Sequence, residues 1–238
     1  MPPDRSQLAA VVMAAGEGTR LRPLTERWPK PVLPIDGRPV LATLLRELAG
    51  SGFEEATVVT GHLAEQVEEL VGDGSALGLR VTTVRQPEAL GSADAVLRAV
   101  DAGAEPPLLV TAADTAFRPG DLAWVVEVWS AGPAAGALGV REGGREEQTP
   151  VRVSAGSVVE IGGEDRLHTA APLWILGEDL VAALRDVPGP PYEIQQAVLS
   201  AMAAGKEIMA LEVGPTRDLT RPADVVRHNF PYLWGEDR

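Results

Sequence analysis

A glycine-bearing turn is the first part of the sequence whose residue types suit phosphate chemistry. It comprises Ala14–Arg20 (AAGEGTR) and follows the apolar run Leu8–Ala15, which predicts a buried strand. Glycines at such a position let the backbone approach a phosphate and direct N–H groups at it. The turn lacks the third glycine of a dinucleotide-binding fingerprint and the Gly-Lys-Ser/Thr ending of a Walker loop. Taken alone, such a turn is more often a plain strand-to-loop connection.

A basic segment held by prolines follows the turn and strengthens the phosphate interpretation. Its cations and prolines are Arg20, Arg22, Arg27, Lys30, Pro23, Pro29, Pro31 and Pro34. Lys30 is one of only two lysines in a chain with 21 basic residues. A rigid segment that carries cations beside a glycine turn suits a polyphosphate, and a solvated basic loop is the alternative.

The composition is that of a globular protein and excludes several classes of function. The 238 residues are 45% hydrophobic and 23% charged, which is enough for one large core. The formal net charge of −13 leaves no basic face for nucleic acid. The absence of cysteine excludes disulfides, zinc–thiolate sites and thiol nucleophiles. No apolar run reaches the roughly 18 residues of a membrane span, and the N-terminal residues predict a first strand rather than a signal peptide. We therefore expect a cytoplasmic protein without nucleic-acid or membrane partners.

Hydrophobic periodicity alternates between strand-like and helix-like segments in the first half of the chain. The predicted strands are Leu8–Ala15, Ala56–Thr60, Leu79–Arg85 and Pro107–Ala112, and the predicted helices are Val40–Leu48, Ala64–Val71, Ala93–Val100 and Leu122–Trp129. Buried strands that alternate with helices favour a parallel sheet covered by helices on both faces.

Beyond Ala135 the predicted strands become shorter and glycine-rich turns separate them. Strands are predicted at Ala137–Val140, Val151–Val153, Val158–Ile161, Pro172–Leu176 and Glu207–Val213, and helices at Glu178–Leu184, Ile194–Ala203 and Asp224–Asn229. We expect this half to add antiparallel strands to the same sheet. No linker or repeat interrupts the sequence, so we predict one three-layer α/β domain over residues 1–238.

The glycine turn and the basic segment together resemble a known family. Residues 16–39 (GEGTRLRPLTERWPKPVLPIDGRP) are similar to the GxGTR…T…PKP stretch of nucleoside-diphosphate-sugar pyrophosphorylases, also called sugar-1-phosphate nucleotidyltransferases. The resemblance is closest to glucose-1-phosphate thymidylyl- and uridylyltransferases, and it weakens in the second half of the chain. It implies a Rossmann-like mixed sheet, a nucleotide-binding half at residues 1–135 and an acceptor-binding half at residues 136–238.

The same resemblance assigns roles to the residues of the first motif. The backbone that would cradle the phosphates of the NTP belongs to Ala14, Ala15, Gly16, Gly18 and Thr19. Arg20 would hold the departing pyrophosphate, and Lys30 would neutralise charge around the reacting phosphates. These roles agree with the physical interpretation, because phosphoryl-type transfers depend mostly on positioning and charge neutralisation.

A second block, Gln86–Val96 (QPEALGSADAV), resembles the family's Q…LGTADAV segment, which closes over the base. Because a glutamine amide can donate and accept at once, Gln86 can pair with a uracil or thymine edge. Gly91 would leave room for the base, and Ser92 would cap the following helix. The block therefore favours UTP or dTTP as the nucleotide.

Two aspartates are candidates for a Mg²⁺ site. Asp114 ends a predicted strand, at the edge where parallel sheets bind ligands, and the family has a metal-binding aspartate there. For the second carboxylate Glu212 and Asp218 compete, and we choose Asp218 because the residues after it match the family's offsets to a proline, an aspartate and an asparagine. Asp224 is then expected at a helix N-terminus. One or two carboxylates with substrate phosphates are what Mg²⁺ prefers.

The resemblance is weakest where the acceptor would bind. The family's Glu-Lys-Pro turn corresponds to the acidic stretch Ile161–Asp165, which has no lysine, and Arg166 would differ from lysine in geometry and reach. Thr169 and Glu193 are the acceptor-binding candidates that remain, from segments that match the family's N-A-G and Tyr-Glu patterns. We therefore also consider the hypothesis that the acceptor is not a hexose 1-phosphate and that it carries a cationic group.

The sequence thus predicts a Mg²⁺-dependent enzyme that transfers a nucleotidyl group from UTP or dTTP to a sugar 1-phosphate. One alternative is a cytidylyl- or other nucleotidyltransferase that acts on a non-sugar phosphate such as phosphocholine. The other is a non-catalytic subunit that senses sugar nucleotides. The sequence leaves the base, the acceptor and the oligomeric state open.

Overall fold

The computed structural model describes residues 8–129, 134–144 and 146–234. Its strands are β1 (Ala9–Ala14), β2 (Pro34–Ile35), β3 (Arg38–Pro39), β4 (Glu55–Thr60), β5 (Arg80–Arg85), β6 (Leu108–Ala112), β7 (Thr115–Ala116), β8 (Gly136–Glu142), β9 (Pro150–Ser154), β10 (Ser157–Ile161), β11 (His168–Leu176), β12 (Ile208–Glu212) and β13 (Arg217–Asp218). Its α-helices are α1 (Val40–Gly50), α2 (Ala64–Val71), α3 (Ser92–Asp101), α4 (Asp121–Trp129), α5 (Glu178–Ala183), α6 (Ile194–Ala203) and α7 (Pro222–Asn229).

Nine strands form one mixed sheet in the order β5-β4-β1-β6-β11-β8-β12-β10-β9. The four strands β5, β4, β1 and β6 are parallel, as the first half of the sequence predicts. Strand β11 is antiparallel to both β6 and β8, so β6 and β8 run in the same direction. The carboxyl ends of β6 and β8 and the amino end of β11 therefore meet at one edge of the sheet.

Helices cover both faces of this sheet and bury two separate apolar layers. On one face, α1, α2 and α4 pack residues such as Leu44, Val67 and Val125 against Val12 of β1. On the other face, α3, α5 and α6 pack residues such as Val96 and Val198 against the strands. The predicted three-layer α/β class with helices on both faces is confirmed.

The second half departs from the sequence prediction in two ways. Strand β12 joins β8 in parallel, so this half is not wholly antiparallel. Strand β11 begins at His168, four residues before the predicted start at Pro172. Proline normally argues against a central strand because it cannot donate to the ladder. Here the pairing of β11 with β8 shifts register between Ala170 and Trp174, and this irregularity accommodates Pro172.

In the described part of the chain, the helices are too short or too polar to cross a lipid bilayer.

Candidate active site

The loop after β1 closes tightly onto the basic segment. Gly18 has a φ of +63°, and a Cβ built there would lie 2.9 Å from Cγ of Lys30 and 2.9 Å from Cγ2 of Thr25. The Thr25 hydroxyl donates to the carbonyl oxygen of Gly18 at 2.9 Å. Only glycine accommodates both the backbone conformation and the close approach, so Gly18 sets the position of Lys30 relative to the loop.

The basic segment folds as three single 3₁₀ turns, Thr19–Leu21, Leu24–Glu26 and Lys30–Val32. Leu21 is fully buried beneath the first turn. His62 Nε2 lies 2.6 Å from the Thr25 carbonyl oxygen, and the Gln66 amide donates to the Arg27 carbonyl at 2.9 Å. The segment is thus held by contacts from the start of α2 as well as by its prolines.

Lys30 and Asp114 form the central ion pair of the site. The Lys30 Nζ donates to Asp114 Oδ2 at 2.6 Å, and both side chains are largely shielded from solvent. Asp114 follows β6 at the carboxyl-terminal edge of the sheet, as the sequence predicts. The pairing across 84 residues fixes the lysine at this edge before any substrate is present.

A cavity of about 350 Å³ opens above this pair. Its lining residues are Met13, Ala14, Ala15, Gly16, Gly18, Lys30, Pro31, Gln86, Ala89, Gly91, Ser92, Ala95, Ala112, Ala113, Asp114, Pro191 and Glu193. Ten of these are predicted site residues. Nine belong to the first half of the chain, namely Ala14, Ala15, Gly16, Gly18, Lys30, Gln86, Gly91, Ser92 and Asp114, and Glu193 belongs to the second half. The glycine turn, the ion pair and the second block therefore surround one space.

Four predicted residues lie outside the lining of this cavity. Thr19 and Arg20 belong to the exposed 3₁₀ turn that follows the loop. Thr169 is fully buried in β11, where its hydroxyl donates to the Gly143 carbonyl at 2.8 Å. Asp218, in β13, pairs with Thr115 of β7 at the residue next to Asp114.

Gln86 differs in one respect from its predicted role. Its side-chain nitrogen donates to the Gly91 carbonyl at 3.0 Å and to Asp94 Oδ2 at 2.7 Å. Both neighbours are acceptors, so both amide hydrogens are used within the protein and only the amide oxygen remains for a ligand. The buried Gln86 therefore has an acceptor but no amide hydrogen left for a ligand.

Ser92 does not cap α3. The N-cap of that helix is Gly91, which makes no side-chain cap bond. The Ser92 hydroxyl instead donates to Glu193 Oε2 at 2.5 Å and accepts from the backbone N–H of Ile194 at 2.9 Å, at the start of α6. The prediction that Ser92 caps its own helix is wrong because a residue 101 positions away competes for the hydroxyl.

A second cation–carboxylate pair lies beside the first. Arg141 Nη1 donates to Asp218 Oδ2 at 2.8 Å and also to the Thr216 hydroxyl. Asp218 Oδ1 accepts from the hydroxyls of Thr115 and Thr216, each at 3.0 Å. The backbone N–H of Leu219 donates to the Asp114 carbonyl at 3.0 Å, which joins the two pairs directly.

The donor chemistry of these two pairs fits a hard cation of the Mg²⁺ type. Among residues 8–129, 134–144 and 146–234, no cluster of three or more acidic or histidine side chains is arranged for a metal ion. Mg²⁺ needs fewer, because it commonly takes one or two carboxylates together with substrate phosphates. Asp114 has a carboxylate oxygen beyond the one that binds Lys30. Both oxygens of Asp218 already accept hydrogen bonds, from Arg141 and from the hydroxyls of Thr115 and Thr216, so a cation would bind Asp218 only in exchange for one of these donors.

Comparison with known proteins now decides the family. The family model described as nucleotidyl transferase matches residues 9–148, which is more than half of the chain. This chain belongs to the nucleotidyl transferase family. The matched region includes the glycine turn, Lys30, the Gln86 block, Asp114 and Arg141, but it ends before Thr169, Glu193 and Asp218.

Individual relatives agree with this membership. The chain is 38% identical over 160 residues to CMP-5'-(3-aminopropyl)phosphonate synthase of Streptomyces rubellomurinus, which covers 66% of this chain and 23% of that protein. It is 39% identical over 90 residues to glucose-1-phosphate thymidylyltransferase of Streptomyces griseus, which covers 38% of this chain and 25% of that protein. The chain thus spans about a quarter of the length of these two relatives.

A solved structure shares the fold across nearly the whole chain. UDP-glucose pyrophosphorylase complexed with UDP-glucose superposes with a TM-score of 0.79 at 20% identity, covering 96% of this chain and 99% of that one. At this identity the likeness concerns the fold alone.

Arg141 is a residue of this site that the sequence did not single out. The residue is 8% exposed and contacts Asp218, but arginine is common in this sequence and Arg141 stands in no recognisable motif. The one available signal was a charged residue inside the apolar run of β8 (GALGVRE), where burial demands a partner.

Proposed function

We propose that the protein transfers a nucleotidyl group from an NTP to a phosphorylated acceptor and releases pyrophosphate. The observation that carries the proposal is the Lys30–Asp114 pair at 2.6 Å, set in a cavity that the glycine turn and the Gln86 block both line. Residues 1–135 would bind the nucleotide and residues 136–238 the acceptor. The favoured reactants are UTP or dTTP and a sugar 1-phosphate.

In the proposed reaction an oxygen of the acceptor's phosphate attacks the α-phosphorus of the NTP in line. A new O–P bond forms as the bond between the α-phosphorus and the bridging oxygen breaks, and the bridging oxygen leaves with pyrophosphate. The attacking phosphate is already anionic, so no general base is needed. Holding both reactants in one cleft supplies much of the rate acceleration.

The chain's own groups would act mainly on charge. The backbone of Gly16 and Gly18 lines the cavity where the phosphates would lie, and Lys30 would exchange Asp114 for a phosphate oxygen. Arg20, in the exposed turn beside the loop, would meet the departing pyrophosphate. Asp114 and Asp218 would hold Mg²⁺, which when bound neutralises phosphate charge and orients the phosphates.

Gln86 supports a base that offers a hydrogen-bond donor. Its amide oxygen is the part left for a ligand, and uracil and thymine present N3–H while cytosine presents its amino group. This contact therefore suits each pyrimidine and does not by itself separate UTP or dTTP from CTP.

A second candidate is cytidylyl transfer to a phosphonate or phosphate that carries an amine. It is favoured by the relative named for CMP-5'-(3-aminopropyl)phosphonate synthesis, whose match extends over 66% of this chain. The acidic stretch Ile161–Asp165, which replaces the lysine-bearing turn of the family, is consistent with an amine on the acceptor.

The test is pyrophosphate release in the presence of Mg²⁺. Each of the NTPs and dTTP is paired with glucose 1-phosphate, phosphocholine and a short aminoalkylphosphonate. Lys30→Ala should lose about 100-fold or more in rate, because one preorganised donor to a developing charge contributes that much. Lys206→Ala, at the exposed lysine that pairs with Asp179, is the matched control and should retain full rate.

The outcomes separate the candidates. Release with UTP or dTTP and a sugar phosphate supports the first, and release only with CTP and the aminoalkylphosphonate supports the second. Binding of NTP without release from any pair would overturn the proposal in favour of a sensor of nucleotides.

A further inference from the structure

Arg141 carries a buried hydrogen-bond donor that the protein does not satisfy. Its guanidinium is nearly enclosed, with 9% of the side chain exposed. Nη1 donates to Asp218 and Thr216, and Nη2 donates to the Ala170 carbonyl at 3.0 Å. The Nε–H, although buried, has no partner among the described residues. An unpaired buried donor on a charged group costs stability, so its presence points to a ligand that completes it.

The topology places this guanidinium at the sheet edge that carries Asp114, although Arg141 is not among the residues that line the cavity. Arg141 lies near the carboxyl end of β8, at the same sheet edge as Asp114 after β6, because the two strands run in the same direction. Asp218 pairs with Thr115, the residue after Asp114, and Leu219 donates to the Asp114 carbonyl. Two cation–carboxylate pairs therefore stand side by side, where two phosphorylated reactants would meet.

Among the described residues after 135, Arg141 is the only buried cation, and the other arginines and Lys206 are exposed or partly exposed. Lys206, the one lysine after residue 135, is exposed and forms an ion pair with Asp179. Arg166 is exposed and donates to the Gln148 carbonyl at 3.3 Å. Arg141 differs from both because it is desolvated and held in place on two sides. A buried guanidinium with its Nε–H open also has the fork geometry that matches phosphate oxygens.

We propose that Arg141 binds the phosphoryl or phosphonyl group of the acceptor, with Asp218 and Thr216 as its positioning residues. The inference rests on the proposed nucleotidyl transfer and names the acceptor's anion-binding residue within it. In this arrangement Lys30 serves the phosphates of the NTP and Arg141 serves those of the acceptor. The acceptor class is then any small molecule with a terminal phosphate or phosphonate, whatever its remaining part.

The test compares Arg141→Ala and Arg141→Lys with the wild-type protein. We expect Arg141→Ala to raise the KM for the acceptor by about 10- to 100-fold, as the loss of a charge-assisted hydrogen bond predicts, while the KM for NTP stays unchanged. Arg141→Lys should recover part of this loss because it keeps the charge but not the fork. The matched control is Arg152→Lys. Arg152 lies on β9 in an exposed ion pair with Glu160 of β10, so its substitution should change neither the KM for the acceptor nor the KM for NTP.

A binding measurement makes the test independent of turnover. Inorganic phosphate is titrated into the protein saturated with a non-hydrolysable NTP, and ³¹P line broadening reports its binding. The wild type should broaden the signal, whereas Arg141→Ala should not.

The outcomes distinguish this inference from the function on which it rests. A wild-type protein that releases no pyrophosphate with any acceptor fails the proposed function. An active wild type whose Arg141 variants keep the acceptor KM overturns the inference alone. A parallel rise of both KM values with a lowered Tm would mean that Arg141 is structural, which also overturns it.

Discussion

Gly91 joins the proposed base-binding loop to α6, and replacing it with alanine tests how rigidly that junction is built. Gly91 has φ +110° and ψ 176°, a conformation that is nearly restricted to glycine and costs another residue about 1–3 kcal/mol. A Cβ there would lie 2.3 Å from the Tyr192 carbonyl oxygen and 2.6 Å from its backbone nitrogen. Forcing apart such backbone contacts adds about 1–3 kcal/mol. We therefore expect Gly91→Ala to lower the free energy of unfolding by about 2–6 kcal/mol.

The same substitution should impair nucleotide binding beyond its effect on stability. Relief of the contact has to move Tyr192, and the next residue, Glu193, lines the cavity and holds the Ser92 hydroxyl. The measurements are urea denaturation and the Kd for NTP at a temperature where the variant is fully folded. We expect the Kd to rise even though no side chain of the cavity has been removed.

Gly103→Ala provides a matched control for the backbone term. Gly103 has φ +106°, close to that of Gly91, but no atom lies within 4 Å of its built Cβ. The control should therefore show the strain without the steric contact and leave the Kd for NTP unchanged. Equal losses of stability in the two variants, with equal affinities for NTP, would refute the argument that Tyr192 is pressed against Gly91.

Two further predictions concern single buried groups. Burial, with the nearby Asp121 carboxylate, raises the pKa of Glu47 from 4.5 to about 7. Between these two pH values the folded state binds more protons than the unfolded state. The free energy of unfolding therefore falls as the pH rises from 4.5 to about 7. Glu47→Gln should thus be more stable than the wild type by about 1 kcal/mol at pH 8, once solvent screening is allowed for, with the gap closing towards pH 4.5 in urea denaturation curves; parallel curves would contradict this. Gln86→Glu places a carboxylate against the Gly91 carbonyl and Asp94. We expect it to weaken NTP binding and to destabilise the protein by about 1–3 kcal/mol. Titration calorimetry that finds the wild-type affinity for NTP would exclude the assigned orientation of the Gln86 amide.

Local sequence patterns predicted the parts of the site that one strand end and its loop define. The glycine turn and Asp114 each come directly after a strand that a run of apolar residues predicts, and Lys30 belongs to the proline-held basic segment that follows the turn. The sequence placed Lys30 and Asp114 in one site, but it did not predict the ion pair that joins them. The length of β11 could not be predicted either, since Pro172 argues against a strand unless the irregular pairing with β8 is known.

Contacts between distant segments were beyond the reach of these patterns. The sequence pattern predicts that the Ser92 hydroxyl caps α3, and only the fold brings Glu193 and Ile194 within hydrogen-bond distance of it. Arg141 has the same difficulty, because its partner Asp218 is 77 residues away. Because most basic residues in this sequence are arginines, the presence of an arginine does not by itself indicate a functional site. Among the described residues, Arg141 is distinguished from the other arginines by its burial, which only the structure shows.

For the proposed function, the two ion pairs supply the positive groups that a chain with net charge −13 needs at a site for two anionic reactants. Lys30 and Arg141 are each held by a carboxylate rather than by solvent, so neither cation has to be collected from a mobile side chain when a phosphate arrives. The entropy of ordering these side chains is already spent in folding. In the proposed reaction a phosphate oxygen would replace Asp114 at Lys30, whereas at Arg141 it would accept from the open Nε–H and leave Asp218 in place. Charge stabilisation in a transfer reaction requires such preorganisation. A group that must first reorient has a free-energy cost for that movement, so its net stabilisation of the transition state is smaller.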